Sequence, residues 1–114
     1  MTALETAKEA AKILDNKKGI DVKIIGIEDI SSLADYFVIA TGTSNTHVKA
    51  LSEETEFQLK KMGVTPSHIE GHRSQSWILM DYGSVILHIF SPDARDFYDL
   101  ERLWKDGKEI TFKK

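Results

Sequence analysis

The chain has 114 residues, 41% of them hydrophobic and 29% charged, with a net charge of −3 and no cysteine. That length suits one domain, residues 1–114, with a core that needs no staples. The composition excludes disulfides, zinc–thiolate sites and cysteine nucleophiles, and its acidic balance argues against a protein that grips nucleic acid through phosphates.

Apart from a few lysines toward the end, Lys105, Lys108, Lys113 and Lys114, no basic excess or stripe is visible. Little or no direct nucleic-acid contact is therefore expected, and a mildly acidic chain suits a basic protein partner. The opening residues alternate acids and bases, with neither an apolar h-region nor an Arg-rich transit pattern. No targeting segment is expected, no run reaches the length of a membrane span, and the expected compartment is the cytoplasm.

Thr2 to Lys17 reads as a helix, with Leu4, Ala7, Ala11 and Leu14 at helical spacing and Gly19 as its stop. Ile20 to Ile27 alternates and predicts a half-buried strand. Asp35 to Thr41 is a near-continuous apolar run rich in aromatic and β-branched residues, the pattern of a strand covered on both faces. Thr41-Gly42-Thr43-Ser44-Asn45 turns into a second helix reaching about Met62, striped by Val48, Leu51, Thr55, Leu59 and Met62 and closed by Gly63. Strand, tight loop and helix in that order suggest a βαβ unit and a partly parallel sheet.

A short strand is expected around Ser67 to Glu70, followed by a polar loop from Gly71 to Gln75. Ser76 to Phe90 then reads as a hairpin whose two apolar strands are joined through Tyr82-Gly83-Ser84. Ser91-Pro92-Asp93 carries an N-cap serine, a proline at the first helical position and an early acid. Phe97, Leu100, Leu103 and Trp104 give that third helix its stripe, and Glu101 to Lys105 is a favourable i,i+4 pair.

Catalytic constellations are hard to assemble from this order. The Thr41–Asn45 turn could cradle an anion at a helix start, as in a nucleotide binder or a nucleotidyltransferase. It lacks the spacing and lysine of a P-loop, and the strands carry no Asp-x-Asp for magnesium: Asp81 stands alone and Glu70 has no companion. Of His47, His68, His72 and His88, no two have helical zinc-site spacing; only His68 and His72, flanking a loop, could meet. No G-x-S-x-G elbow occurs. Neither a catalytic residue, a metal nor a cofactor is expected.

The hairpin is apolar on both faces. Trp77, Leu79 and Asp81 point one way, while Ile78, Met80 and Tyr82 point the other. A central pair sandwiched between helices accounts for most of these side chains. It accounts poorly for Asp81, an acid among apolar neighbours, and for Trp77, the first bulky residue after a polar loop. A tryptophan and an acid at a sheet margin are groups that anchor protein interfaces.

Five stretches in series extend the reading: Asp35 to Ser44, Glu70-Gly71, Trp77 to Gly83, His88-Ile89-Phe90 and Tyr98 to Trp104. In order and spacing they resemble the ribosomal silencing factor (iojap-like) family over nearly the whole chain. One departure is Ser84, where the family commonly has an acid. The resemblance implies a single α/β domain of about five strands, in a mixed, mostly parallel sheet with an antiparallel hairpin, flanked by helices. It implies a shape related to nucleotidyltransferases without their catalytic carboxylates. The implied function is translational repression under nutrient limitation. The protein would bind the large ribosomal subunit through the ribosomal protein numbered fourteen and sterically block subunit joining. The implied partner surface is Trp77, Met80, Asp81 and Tyr82, and a homodimer is implied for the isolated protein. Alternation places Met80 opposite Trp77 and Asp81, so one flat patch can hold all four only if the strand twists near Gly83.

Overall fold

A computed structural model describes residues 1–71 and 73–112, apart from the side chain of Leu103. His72, Lys113 and Lys114 lie outside the described residues, and with them the possible His68–His72 pairing. The elements in chain order are α1 (Ala3–Asn16), β1 (Ile20–Gly26), β2 (Tyr36–Thr41), α2 (Asn45–Lys61), β3 (His68–Glu70), β4 (Trp77–Asp81), β5 (Val85–Phe90), α3 (Pro92–Tyr98), α4 (Leu100–Leu103) and β6 (Lys108–Ile110).

Six strands form one mixed sheet in the order β3-β4-β5-β2-β1-β6. The α/β class and the mixed sheet agree with expectation; the balance of directions does not. Only β2 and β5 run parallel, and the other four described pairings are antiparallel. The cause is connection length, since parallel neighbours need a crossover of a dozen or more residues. The link between β1 and β2 is too short for one. The chain crosses over through α2, starts again at the far edge with β3, and fills inward through β4 to β5. The sixth strand, β6, is three residues long and carries no alternation that would have signalled it.

Helices α1 and α2 pack together on one sheet face. Thr2 begins α1 with a capping box: its hydroxyl accepts the Glu5 N–H while the Glu5 carboxylate accepts the Thr2 N–H. Ala7, Ala10 and Ala11 are sealed, and their small side chains let α1 approach closely. Val48, Leu51, Thr55 and Leu59 form the buried stripe of α2, whereas Met62 is its exposed C-cap. Beneath the two helices lie Ile24, Val38, Ala40, Ile78, Met80, Leu87 and Ile89.

The opposite face carries a smaller cluster of Ile25, Ile27, Ala34, Phe37, Ile39, Phe90 and Ala94. Ile24 and Ile25 are therefore both buried, which overturns the half-buried reading of β1. Its alternation is interrupted by an irregularity between Ile20 and Lys23, where Asp21 takes a positive φ. β2 is covered on both faces from Phe37 to Thr41, as its composition implied.

The expected third helix is two. Asp99 adopts the left-handed conformation and ends α3, and α4 is a single turn beyond it. This bend leaves Phe97 outside the apolar stripe, at 81% exposure. It also swings Glu101 back onto Arg95, whose guanidinium is buried. Arg95 donates twice to the Glu101 carboxylate at 3.0 Å, to the Thr41 hydroxyl at 2.8 Å and to Asp21 at 3.2 Å. Lys23 adds a second cation to Glu101 at 3.1 Å. Arg95 first and Lys23 second hold the Glu101 carboxyl below its ordinary range, against the opposing effect of burial.

Removing one member of a buried ion pair strands the others. Arg95→Met is therefore expected to lower the unfolding free energy by about 2–3 kcal/mol in urea titrations at pH 7. The depressed carboxyl sets the sign with pH: the contribution is present above the ordinary glutamate range and fades as acid protonates Glu101.

Candidate docking face

The loop before β4 places the first residue of the site. Gly71 has φ +91°, and a side chain there would strike the Trp77 carbonyl, so the chain passes close beneath the start of β4 only as glycine. From Trp77 onward the strand alternates. Ile78 and Met80 face α1 and α2 and are fully buried; Trp77, Leu79 and Asp81 face the other side and are partly exposed.

Register extends that side across neighbouring strands. Trp77 lies opposite Phe90, Leu79 opposite His88, and Asp81 opposite Ile86. On the edge strand, His68 lies opposite Asp81 and Glu70 opposite Leu79. Directly opposed residues share a face, so His68, Glu70, Leu79, Asp81, Trp77 and Ile86 form one surface. α3 and α4 cover the opposite end of this side: Ala94, Leu100 and Trp104 pack with the β1–β2 cluster and Phe90. Over β3 and β4 the side stays uncovered, and Leu79 and Ile86 retain exposure there.

Trp77 is half-buried and firmly held. Its indole N–H donates to His88 Nδ1 at 3.2 Å. Its ring lies 4.4 Å from Tyr98 and 5.2 Å from Phe90, centre to centre. Asp81 accepts the Gly83 N–H at 2.8 Å, fixing the hairpin turn. Among the described residues no cation reaches Asp81, while Glu70 pairs with His68 at 3.1 Å. The surface therefore combines an aromatic anchor, two aliphatic side chains and acids at one margin.

Of the four expected partner residues, the strand brings Trp77 and Asp81 together and sends Met80 and Tyr82 to the other face. Met80 is 0% exposed and belongs to the main core, with no surface to offer. Tyr82 packs against that core from its edge, and its hydroxyl has no partner among the described residues. Burial, with a smaller effect of Glu56, pushes the Tyr82 phenol up to about 12. Sequence reasoning passed over Leu79, Ile86 and His88. The alternation already set Leu79 beside Trp77 and Asp81, but an aliphatic residue in an apolar strand carries no mark that distinguishes surface from core.

The Thr41–Asn45 turn is closed upon itself. Ser44 caps α2 by accepting the His47 N–H, and His47 Nδ1 accepts the Thr43 N–H at 2.8 Å. The other nitrogen of His47 reaches the Lys17 carbonyl at 3.0 Å, and the Thr41 hydroxyl is engaged by Arg95. A side chain at Gly42 would meet the Val48 nitrogen at 2.8 Å, so the turn lies tight against its helix. The Gly42, Thr43 and His47 N–H groups are thus engaged in closing the turn and capping the helix. Among the described residues, no three His, Cys, Asp or Glu side chains converge as a metal site. None of the described helices is long and apolar enough to cross a membrane.

Known proteins share this sequence and architecture. A family model described as "Ribosomal silencing factor during starvation" matches residues 1–114. A ribosomal silencing factor of Chromobacterium violaceum is 39% identical over 112 residues, spanning 98% of this chain and 91% of that one. Another, from Bacillus subtilis, is 38% identical over 100 residues, spanning 88% and 85%. A crystal structure of a Chromobacterium violaceum protein superimposes with a TM-score of 0.89 at 38% identity, covering 98% of this chain and 92% of that one. With its whole length matched and its fold reproduced, the chain belongs to the ribosomal silencing factor family.

Proposed function

We propose that this protein represses translation in the cytoplasm under nutrient limitation by docking on the large ribosomal subunit. The contact is the ribosomal protein numbered fourteen, and the bound protein stands where the small subunit would join. The observation that carries the reading is the uncovered sheet face, on which Trp77, Leu79 and Ile86 stay accessible beside an acid, Asp81, that no cation among the described residues neutralises. The exposed part of the indole supplies apolar contact area, and a carboxylate at its margin takes Arg or Lys from a basic partner through a charge-assisted bond. Ser84 is exposed in the turn, so where the resemblance leads one to expect an acid this margin relies on Asp81 and Glu70.

Blocking by occupancy needs no covalent step. Its strength is the docking affinity set against the affinity of subunit joining. Met80 and Tyr82 support the strand from beneath, and Trp77 and Asp81 make the contact. Self-association through the same face would compete with docking, so a homodimer would have to dissociate first. The test is a subunit-joining assay. Preincubating large subunits with the protein is expected to increase the free-subunit fraction with dose on sucrose gradients. Joining that proceeds unchanged at saturating protein contradicts the proposal.

A further inference from the structure

We propose that His88 is a positioning residue for docking: by accepting the indole N–H of Trp77 it holds that ring in its binding orientation. The inference rests on the docking role of Trp77.

The geometry carries it. His88 is 5% exposed and lies on the same side of the sheet as Trp77, two residue pairs along the hairpin. Its Nδ1 stands 3.2 Å from the indole nitrogen, and because Nδ1 accepts, the imidazole proton resides on Nε2. That Nε2 is buried and has no hydrogen-bond partner among the described residues. An unpaired buried donor is unfavourable, and an aliphatic side chain would fill the same space without it. Having histidine here is thus a local disadvantage that packing alone does not offset, whereas the bond to Trp77 does. Phe37 meets the imidazole edge-on at 4.7 Å and Phe90 stacks at 6.1 Å, so the acceptor cannot swing away. Burial also pushes the imidazole down to about 4, which keeps the Nδ1 lone pair free throughout the neutral range.

The consequence is pre-organisation. A partly exposed tryptophan that lacks such a bond must be ordered when a partner arrives, which weakens binding. Here the N–H end is fixed by His88 and the ring is flanked by Tyr98 and Phe90.

Three chains test this: the wild type, His88→Leu, which removes the acceptor, and His88→Asn, whose side-chain oxygen replaces Nδ1. Each is measured by co-sedimentation with purified bacterial large subunits. The indole N–H of Trp77 is followed by ¹⁵N NMR and assigned by its loss in Trp77→Phe. The expected results are slow indole exchange in the wild type, faster exchange with about tenfold weaker binding in His88→Leu, and recovery of both in His88→Asn. A Leu variant that binds like the wild type overturns the inference. So does an Asn variant as weak as the Leu variant, since the effect is then packing. If the variants are too unstable to measure, a wild-type indole that exchanges as fast as a free one overturns it alone. Wild-type protein that leaves large subunits unbound overturns the docking reading, and this inference with it.

Discussion

Asp81→Arg is expected to weaken binding to large ribosomal subunits by about 30- to 100-fold while leaving the fold in place. Reversing the charge replaces an attraction for a basic surface with a repulsion at a partly desolvated contact, an effect of several kcal/mol at most and of two or more at a hot spot. Among the described residues the Asp81 carboxylate accepts one hydrogen bond, from the Gly83 N–H at the hairpin turn. Losing that bond costs about 1 kcal/mol, too little to unfold a domain. Trp77→Ala is expected to reduce binding at least as much, but it also removes contacts with Phe90, Tyr98 and His88. Its folding cost is about 2–3 kcal/mol, since the ring is only half-buried. Affinity is read by co-sedimentation and integrity by circular dichroism and urea titration. An Asp81→Arg chain that is folded and binds like the wild type removes the carboxylate from the contact.

The second large effect is on stability and comes from His88. Burial is the sole cause pushing its imidazole down to about 4, from an ordinary value of 6.5. The unfolded chain takes up this proton as pH falls through the ordinary value; the folded chain resists until the lower one. Stability is therefore fully present above pH 6.5 and is lost progressively between there and pH 4, by a total of about 3 kcal/mol. The loss at Glu101 begins only at lower pH, in the carboxylate range, so the two windows are separable. Urea titrations at pH 7.5 and 4.5 are expected to show wild type losing about 2–3 kcal/mol more than His88→Leu over the same interval. Equal losses in both chains place the acid sensitivity elsewhere.

The residues that made the fold legible share one feature: their neighbours along the chain decide their state. The Ser91-Pro92-Asp93 helix start, the Val48-to-Leu59 stripe of α2 and the apolar run of β2 are local patterns, and all three recur in the structure. What escaped was settled at a distance. β6 forms because β1 offers a free edge to Lys108–Ile110, a fact about the sheet and not about three residues. The break at Asp99 is compatible with an aspartate in the left-handed region, but what favours it is Glu101 reaching Lys23 and an Arg95 that is itself held by Thr41. The balance of parallel and antiparallel strands followed from loop lengths whose consequence appears only once the far edge is seen to fill inward.

The docking face divides in the same way. Period-two alternation was enough to separate Trp77 and Asp81 from Met80 and Tyr82. Which side of the hairpin the helices would cover was not a local matter. Both sides are apolar, and coverage depended on α1 and α2 sharing one face while α3 and α4 stop over Phe90. Nothing local marks His88, because its partner, Trp77, sits eleven residues back across the hairpin.

The absence of cysteine in the chain makes the central claim directly measurable. A single cysteine introduced as Leu79→Cys lies in the middle of the uncovered face, and one introduced as Phe57→Cys lies on the exposed side of α2. Maleimide labelling of each chain, with and without a saturating excess of large ribosomal subunits, asks which side is covered on binding. The expected result is strong protection at position 79 and an unchanged rate at position 57. Labelling of position 79 at the same rate with bound subunits as without them would show that this face is not where the ribosome sits.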